Sequence, residues 1–586
     1  MKFCDWVSPF LFAIWLLPVG LLGGPAGPIS WSGQVSIGGG WGRMTQLTNG
    51  QWLCVTTAYP SGTNSYLNVF RSTDSCRTWS WLSSVNQPAR TLDNGELVLL
   101  PNGTVLLTMR SLIADVSYEL PVYASSNSGM TWAYLSNIDT SSGTTAAQGE
   151  GLWEPDLRVL ANGALVVNYS NETHPGYSQI ISERVSTNNG ASWGPEIWAV
   201  AQPGGGALRP GMPQLVQMAN GVYLLVYEVV NSGNANVYGK TSTDGVTWPA
   251  GLGNPIPCQH CAPFVLSLPN GVLLITSCEN QVSFSEDYGA TWQLNDPPAW
   301  PGGFLQTWPA LYLTQTNEVG AMAVTNGVKL RFGLVSPRPW WTNPFVANFD
   351  NGTDPGWAHY GGNFSISGGN YVLTDAGTNG KALAGDGFWT DGTLDADMLI
   401  NSPGNAGLVF RITNPDYTGP DACDGYYAGL DTGGYAIVGV ESNAWSAVTS
   451  APTSVLTNTW HHLRVNLKGS QFTLFVDNLT TPLISFTDTN FYRGQIGVRA
   501  FQCNARFDNV TYSNAVPLRL QLKRTGNQLQ CVWPNTSVGI KLCAQTNLVN
   551  PSRAGALTNL PQLTNGDWQE PVGASAMAQF FLLQAQ

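Results

Sequence analysis

Between residues 72 and 292 one short pattern recurs five times, and it constrains the fold more than any other feature of the chain. The copies read STDSCRTW (72–79), SNSGMTW (126–132), STNNGASW (186–193), STDGVTW (242–248) and SEDYGATW (285–292). The consensus is Ser-x-Asp-x-Gly-x-Thr-Trp, with single deletions and substitutions. It describes a hairpin turn: Asp or Asn accepts from its own backbone, Gly takes a positive φ, and Trp packs between neighbouring sheets. Such a turn specifies architecture and not chemistry. Its recurrence at intervals of about 40 to 60 residues predicts the blades of a β-propeller.

Between the copies lie alternating apolar strands joined by Asn-Gly turns at Asn49, Asn102, Asn162, Asn220 and Asn270. A sixth unit over 308–332 has the turn Asn326-Gly327 without the box, and a strand near Gln34–Ile37 can complete it. Six blades are therefore expected over 30–335. A Pro- and Trp-rich joint, SPRPWWTNP (336–344), marks a boundary. Residues 345–513 are again strand-rich and resemble the concanavalin-like jelly-roll sandwiches appended to carbohydrate enzymes, which implies carbohydrate binding. Residues 517–586 read as a small C-terminal β module. The expected fold class is all-β throughout.

Composition narrows the partner. Charged residues are 11% of the chain, aromatics another 11%, and the net charge is −12. A nucleic-acid binder needs a basic face, so that class is disfavoured. Many aromatics with few charges suit neutral sugars, although an acidic exoprotein of any function shares this profile. Lys2 followed by the apolar run 7–22 and the small residues 23–27 predicts a signal peptide over 1–27. The mature chain is then expected to be secreted or periplasmic, free of the membrane and monomeric. Export permits disulfides, and sequence proximity suggests Cys54–Cys76, Cys423–Cys503 and Cys531–Cys543. Cys258 and Cys261 look like half a zinc site, but no second pair follows at the required spacing. No metal or cofactor is expected. Asp421, Asp424, Tyr426 and Tyr427 around Cys423 could form a glycan site, a calcium site or a disulfide-anchored loop.

A propeller presents its site at one mouth of the central channel. Two carboxylates stand out where strands reach that mouth. Glu154 lies between Trp153 and Pro155 at the entry to blade 3, an apolar setting that favours its protonated form. Glu228 ends the apolar strand LLVYE of blade 4. A structural ion pair with an arginine is the plain alternative for either. Two such acids in adjacent blades, at equivalent depths, fit glycoside hydrolysis, which needs one acid for the leaving oxygen and one carboxylate as nucleophile or base.

Arg43, Asn94, Arg110, Trp153-Glu154-Pro155, Tyr169-Ser170 with Glu172, Arg209-Pro-Gly-Met and Tyr227-Glu228 occur in that order. This resembles glycoside hydrolase family 93, exo-arabinanases with a sialidase-like propeller, over about residues 41–334. The resemblance implies Glu154 as acid/base, Glu228 as nucleophile, a retaining outcome, and substrate contacts from Arg43, Asn94, Arg110, Trp153, Tyr169 and Arg209. The expected substrate is a polysaccharide or oligosaccharide, such as arabinan. The tyrosine that the family sets beside its nucleophile has no counterpart in phase in the last blade, where Tyr312 falls out of register. Three arginines also raise a sialidase, with Asp93 or Asp115 as its acid, because guanidinium forks clamp a carboxylate. A propeller that binds glycans without cleaving them is the third reading.

Overall fold

The computed structural model describes residues 27–114, 116–142, 151–300, 307–336, 344–354, 356–374 and 380–514, with strand segments between 521 and 585. Residues 1–26, nearly all of the expected signal peptide, lie outside the described residues. Every named element is a strand.

Six four-stranded antiparallel sheets form the propeller. Their innermost strands are Gly40–Gln46, Thr91–Leu99, Leu152–Val159, Arg209–Gln217, Phe264–Ser267 and Thr307–Gln315. Blades 1 to 5 each use four consecutive strands. Blade 6 borrows its outer strand, Ile29–Ser36, which pairs antiparallel with Val328–Val335. Closing the ring with the first strand joins the two ends of the propeller by backbone hydrogen bonds. Apolar side chains such as Leu53, Val55, Leu107, Val167, Leu225 and Leu274 are fully buried between the blades.

The repeated turn behaves as its chemistry requires. Asp74 accepts from Thr78 N at 2.9 Å and from Thr78 Oγ1 at 2.6 Å. Asp287 accepts from the same two groups of Thr291 at 2.9 and 2.7 Å. In the second copy the serine that bonds Asn127 is Ser125, at 2.9 Å, so this copy begins one residue earlier than expected and carries no deletion. The tryptophans tie blades together: Trp132 Nε1 donates to Ser83 Oγ and Trp193 Nε1 to Ser136 Oγ of the preceding blade, at 3.1 and 3.2 Å. These turns follow the third strand of each blade. They therefore lie on the edge opposite the one where the innermost strands begin.

Residues 345–514 fold into an eight-stranded and a seven-stranded sheet, face to face. Between them lie Trp357, Phe410, Tyr426, Leu463, Phe472 and Val498. The segments between 521 and 585 make one four-stranded and one three-stranded sheet. The sandwich docks on blades 4 and 5. Arg493 meets the box residue Asp287 at 2.5 Å, Asn414 accepts from Trp292 N at 3.2 Å, and Asp416 accepts from Cys258 N at 3.0 Å.

Two expected disulfides do not form. Cys54 and Cys76 are separate buried thiols. Cys423 Sγ donates to Glu441 at 2.8 Å, while Cys503 Sγ donates to the Asn405 carbonyl at 3.2 Å. Closeness in sequence did not bring these Cβ atoms face to face, as a disulfide demands. The bond that forms among the described residues is Cys261–Cys278, with a Cα–Cα distance of 5.5 Å. Cys258 Sγ instead donates to the Pro415 carbonyl at 3.2 Å. The side chain of Cys543, and with it the pair Cys531–Cys543, lies outside the described residues. The cluster around Cys423 divides because adjacent strand residues face opposite ways. Tyr426 enters the core between the sheets, while Tyr427 packs on the propeller side.

Candidate active site

Near its start, the innermost strand of a blade carries a β-bulge. Pairing with the second strand jumps between Gly40 and Arg43, Asp93 and Glu96, Trp153 and Asp156, Gly211 and Gln214, and Thr307 and Ala310. One residue per bulge is left-handed: Trp41, Asn94, Glu154, Met212 and Trp308, joined by Ala262 in blade 5, all with φ of 43–54°. The next residue is Gly or Pro in every blade. Non-glycine residues seldom adopt such φ, and bulges gather at barrel rims because they re-aim side chains. Here they turn a ring of side chains onto the axis. Trp41, Met212, Ala262 and Trp308, from blades 1, 4, 5 and 6, meet in one apolar cluster.

Across each bulge, a residue of the second strand pairs with the one that opens it: Thr57, Arg110, Ser170, Glu228 and Val324 in blades 1, 2, 3, 4 and 6. The two glutamates thus come from adjacent blades but not from equivalent places. Glu154 is a bulge residue of blade 3, whereas Glu228 sits on the second strand of blade 4, opposite Gly211. Gly211 separates the two carboxyls. A Cβ there would lie 3.4 Å from Ser170 Oγ and 3.6 Å from Glu228 Oε1, and Ser170 Oγ donates to Glu154 Oε2 at 2.9 Å. These contacts bound the separation of the two carboxyl groups at about 10 Å. Met212 N also donates to Glu154 Oε2, at 3.2 Å, and Ala262 N donates to Glu228 Oε2 at 2.7 Å.

Their environments differ. Glu154 is pushed up to about 7, first by burial and then by the charge of Glu228, against the Ser170 hydroxyl, Arg209 and Arg110. Burial also raises Glu228, but the Ala262 amide and Arg209 act to lower it. At neutral pH Glu154 is therefore the better proton carrier and Glu228 the better anion.

An arc of paired side chains surrounds them. Arg110 stacks 4.6 Å above the Trp153 ring and pairs with Asp93 at 3.2 Å. Trp153 Nε1 donates to Glu172 at 2.9 Å, and the other oxygen of Glu172 holds Arg209 at 2.7 Å. Asn94 is buried beside Asp93, with its side-chain Oδ1 unpartnered among the described residues. Asp93 accepts from Thr57 at 2.7 Å and from Tyr59 at 3.1 Å; Asp115 lies outside the described residues.

Arg43 and Tyr169 are placed differently from the other six. Arg43 belongs to the layer beneath the mouth, is 1% exposed, and faces Glu96 at 3.5 Å. Arg158 completes that layer, reaching Glu96 at 2.9 Å and Asp156 at 2.6 Å. The Tyr169 hydroxyl donates to Asp139 at 2.6 Å, and its ring is packed within the blade. Neither side chain is brought to the carboxyl pair. Tyr312 is likewise committed below the mouth, its hydroxyl accepting from Met44 N at 2.9 Å. Sequence reasoning missed the backbone donors of Met212 and Ala262. The signal that locates them is the sixfold Gly or Pro after each bulge residue. Beside the Cys261–Cys278 pair a cavity of about 690 Å³ is lined by Asn231, Asn234, His260, Cys261, Cys278 and Glu279, among others.

Two family models match parts of the chain: a BNR repeat-like domain over residues 44–200 and a 3-keto-alpha-glucoside-1,2-lyase-like domain over 344–512. No curated protein matches. Among solved structures, the alpha-L-arabinanase of Penicillium chrysogenum complexed with arabinobiose is 23% identical, covering 52% of this chain and 98% of its own, with a TM-score of 0.46. The GH93 alpha-L-arabinofuranosidase of Fusarium graminearum, also with arabinobiose, is 20% identical over the same shares, with a TM-score of 0.46. A Trypanosoma rangeli sialidase is 12% identical, covering 82% of this chain and 92% of its own, with a TM-score of 0.40.

Proposed function

We propose that the chain is an exo-acting glycoside hydrolase of neutral glycans that works through Glu154 and Glu228. One observation carries this reading: two carboxyl groups at one channel mouth, one poised to hold a proton near neutrality and the other accepting a backbone N–H. In the first step Glu228 attacks the anomeric carbon. The glycosidic C–O bond breaks as Glu154 passes its proton to the departing oxygen. In the second step Glu154, now ionised, takes a proton from water. That water attacks the glycosyl ester and releases Glu228. Retention follows from the family resemblance, since a separation of up to about 10 Å accommodates either outcome. Asn94, Arg110, Trp153 and Arg209 are the residues proposed to touch the sugar.

Charge pairing favours this reading over a sialidase. Arg43, Arg110 and Arg209 each face a carboxylate of their own, namely Glu96, Asp93 and Glu172. No uncompensated trio of guanidinium groups is left to clamp an acidic sugar. Action outside the cell is part of the proposal, supported by the sequence of residues 1–27 and by the Cys261–Cys278 bond. Carbohydrate binding by the sandwich is a further part, resting on its resemblance to modules of that kind.

The test is to incubate the protein with arabinan, arabino-oligosaccharides and sialyl-lactose, and to follow the anomeric signals of the first product by NMR. A neutral sugar of retained configuration is expected, with Glu154→Gln and Glu228→Gln each removing most turnover. Release of sialic acid alone, or full activity in both variants, would overturn the assignment.

A further inference from the structure

Blade 5 departs from its neighbours where the catalytic rim requires order. Its innermost strand, Phe264–Ser267, has four residues, against seven to nine in the other blades. Ladder pairing starts only at Phe264 with Thr276, past the bulge. In blade 2 the corresponding pair is Glu96 with Thr108, and the pair that opens the bulge is Asp93 with Arg110. Counting the same steps back from Phe264 and Thr276 leads to Cys261 and Cys278, the two halves of the disulfide. The covalent bond thus occupies the position where blades 1, 2, 3, 4 and 6 close the bulge by backbone pairing.

What it closes is specific. Cys261 and Ala262 are consecutive left-handed non-glycine residues, with φ of 47° and 43°. Left to itself, a segment with so little ladder pairing would relax from that conformation. Ala262 N is the atom that donates to Glu228 Oε2 at 2.7 Å. The turn is braced further by Cys278 N, which donates to the carbonyls of His260 and Cys261 at 3.0 and 3.1 Å.

We infer that the Cys261–Cys278 disulfide is a positioning device for the nucleophile: it holds the Ala262 amide, and through it the Glu228 carboxylate, in attacking geometry. The inference rests on the proposed role of Glu228. Cys261 and Cys278 are positioning residues and touch no reacting atom.

The experiment compares the full-length protein with its Cys261→Ala/Cys278→Ala double variant, using arabino-oligosaccharides as substrate. Loss of alignment at a nucleophile costs on the order of ten- to a hundredfold in rate. A fall in kcat of that order is expected, with KM within about twofold. The acidic limb of the pH profile should move to higher pH, because Glu228 loses the N–H that lowers its proton affinity. Hydrogen exchange at Ala262, followed by mass spectrometry of the 258–264 segment, should quicken. A purely structural bond predicts a lower Tm with kcat, pH profile and Ala262 exchange unchanged below the transition, and that result overturns the inference. Exchange needs no turnover, so the two readings fail separately. If the wild type cleaves no glycan while the double variant still frees Ala262, the functional reading falls and the clamp stands. If the wild type is active and the variant matches it, the clamp falls.

Discussion

The elevated proton affinity of Glu154 should be measurable as lost stability, and Glu154→Gln tests it. The native carboxyl titrates at about 7 against an ordinary 4.5. Below pH 4.5 it is protonated whether the chain is folded or not, and it contributes nothing to pH dependence. Between 4.5 and 7 the folded protein keeps a proton that the unfolded chain has released, so stability falls by about 1.4 kcal/mol per pH unit. Above 7 both states are ionised and the penalty levels off at about 3 kcal/mol. Glu154 is only half-buried, and solvent screening reduces this to about 2 kcal/mol. A glutamine has the same shape, still accepts from Ser170 and Met212, and never ionises. Thermal unfolding should therefore give Glu154→Gln a Tm roughly 2 to 4 °C above wild type at pH 8. At pH 4 the two should coincide. Turnover should move the opposite way, lost by about two to four orders of magnitude on substrates with poor leaving groups. Equal Tm values at pH 8, or a variant less stable than wild type there, would refute the account of Glu154 as a carboxyl kept protonated by burial and by Glu228.

Ser170→Ala removes a donor that favours the ionised form of Glu154, so the basic limb of kcat/KM should rise from near pH 7 by up to about one unit. No rise in the pH profile would mean that the Ser170 hydroxyl does not act on that proton affinity. Glu228→Gly should be rescued by azide, giving an azido sugar of inverted configuration, because the small anion fills the vacated carboxylate space; product NMR reads the outcome. Arg493→Ala leaves Asp287 buried beneath the sandwich without its cation and should cost about 3 kcal/mol or more in urea unfolding. Unchanged unfolding would show that the domain contact does not depend on that pair.

The five turn copies made the propeller legible because a tight turn depends on only eight residues, and each of those is visible in sequence. The same locality made Glu154 legible, since Trp153 and Pro155 flank it directly. Arg43 misled because its partner, Glu96, is 53 positions away in the next blade. Sequence shows an arginine at a strand entry and not the buried carboxylate that claims it. Tyr169 misled through alternation. It neighbours Ser170, which does reach Glu154, but adjacent strand residues point to opposite faces. The disulfides were misjudged for a related reason: pairing by sequence distance ignores that Cys278 stands across a bulge from Cys261, a relation set by the ladder register.

The sixfold ring also explains why one half of the mouth is ionic and the other is not. Every blade offers the same two places, a left-handed bulge residue and the residue opposite it on the second strand. Blades 5, 6 and 1 fill them with Ala262, Trp308, Trp41, the disulfide, Val324 and Thr57. Blades 2 to 4 fill them with Asn94, Arg110, Glu154, Ser170, Met212 and Glu228. In blades 4 and 5 the bulge N–H secures the preceding blade: Met212 N reaches Ser170 at 3.1 Å and Glu154 at 3.2 Å, and Ala262 N reaches Glu228. With Arg110 and Arg209 matched by Asp93 and Glu172, the net charge at the mouth is that of the two glutamates. With Glu154 protonated, that leaves a single negative charge on Glu228. A lone anion beside an apolar wall suits a reaction whose transition state becomes positive at the anomeric carbon. It disfavours a substrate that arrives carrying a carboxylate. Raising the ionic strength should therefore leave KM for a neutral oligosaccharide almost unchanged, since no long-range attraction draws it in. With a carboxylate-bearing oligosaccharide, a KM that climbs steeply with salt would mean that the arginines, and not the glutamates, dominate the field at this mouth.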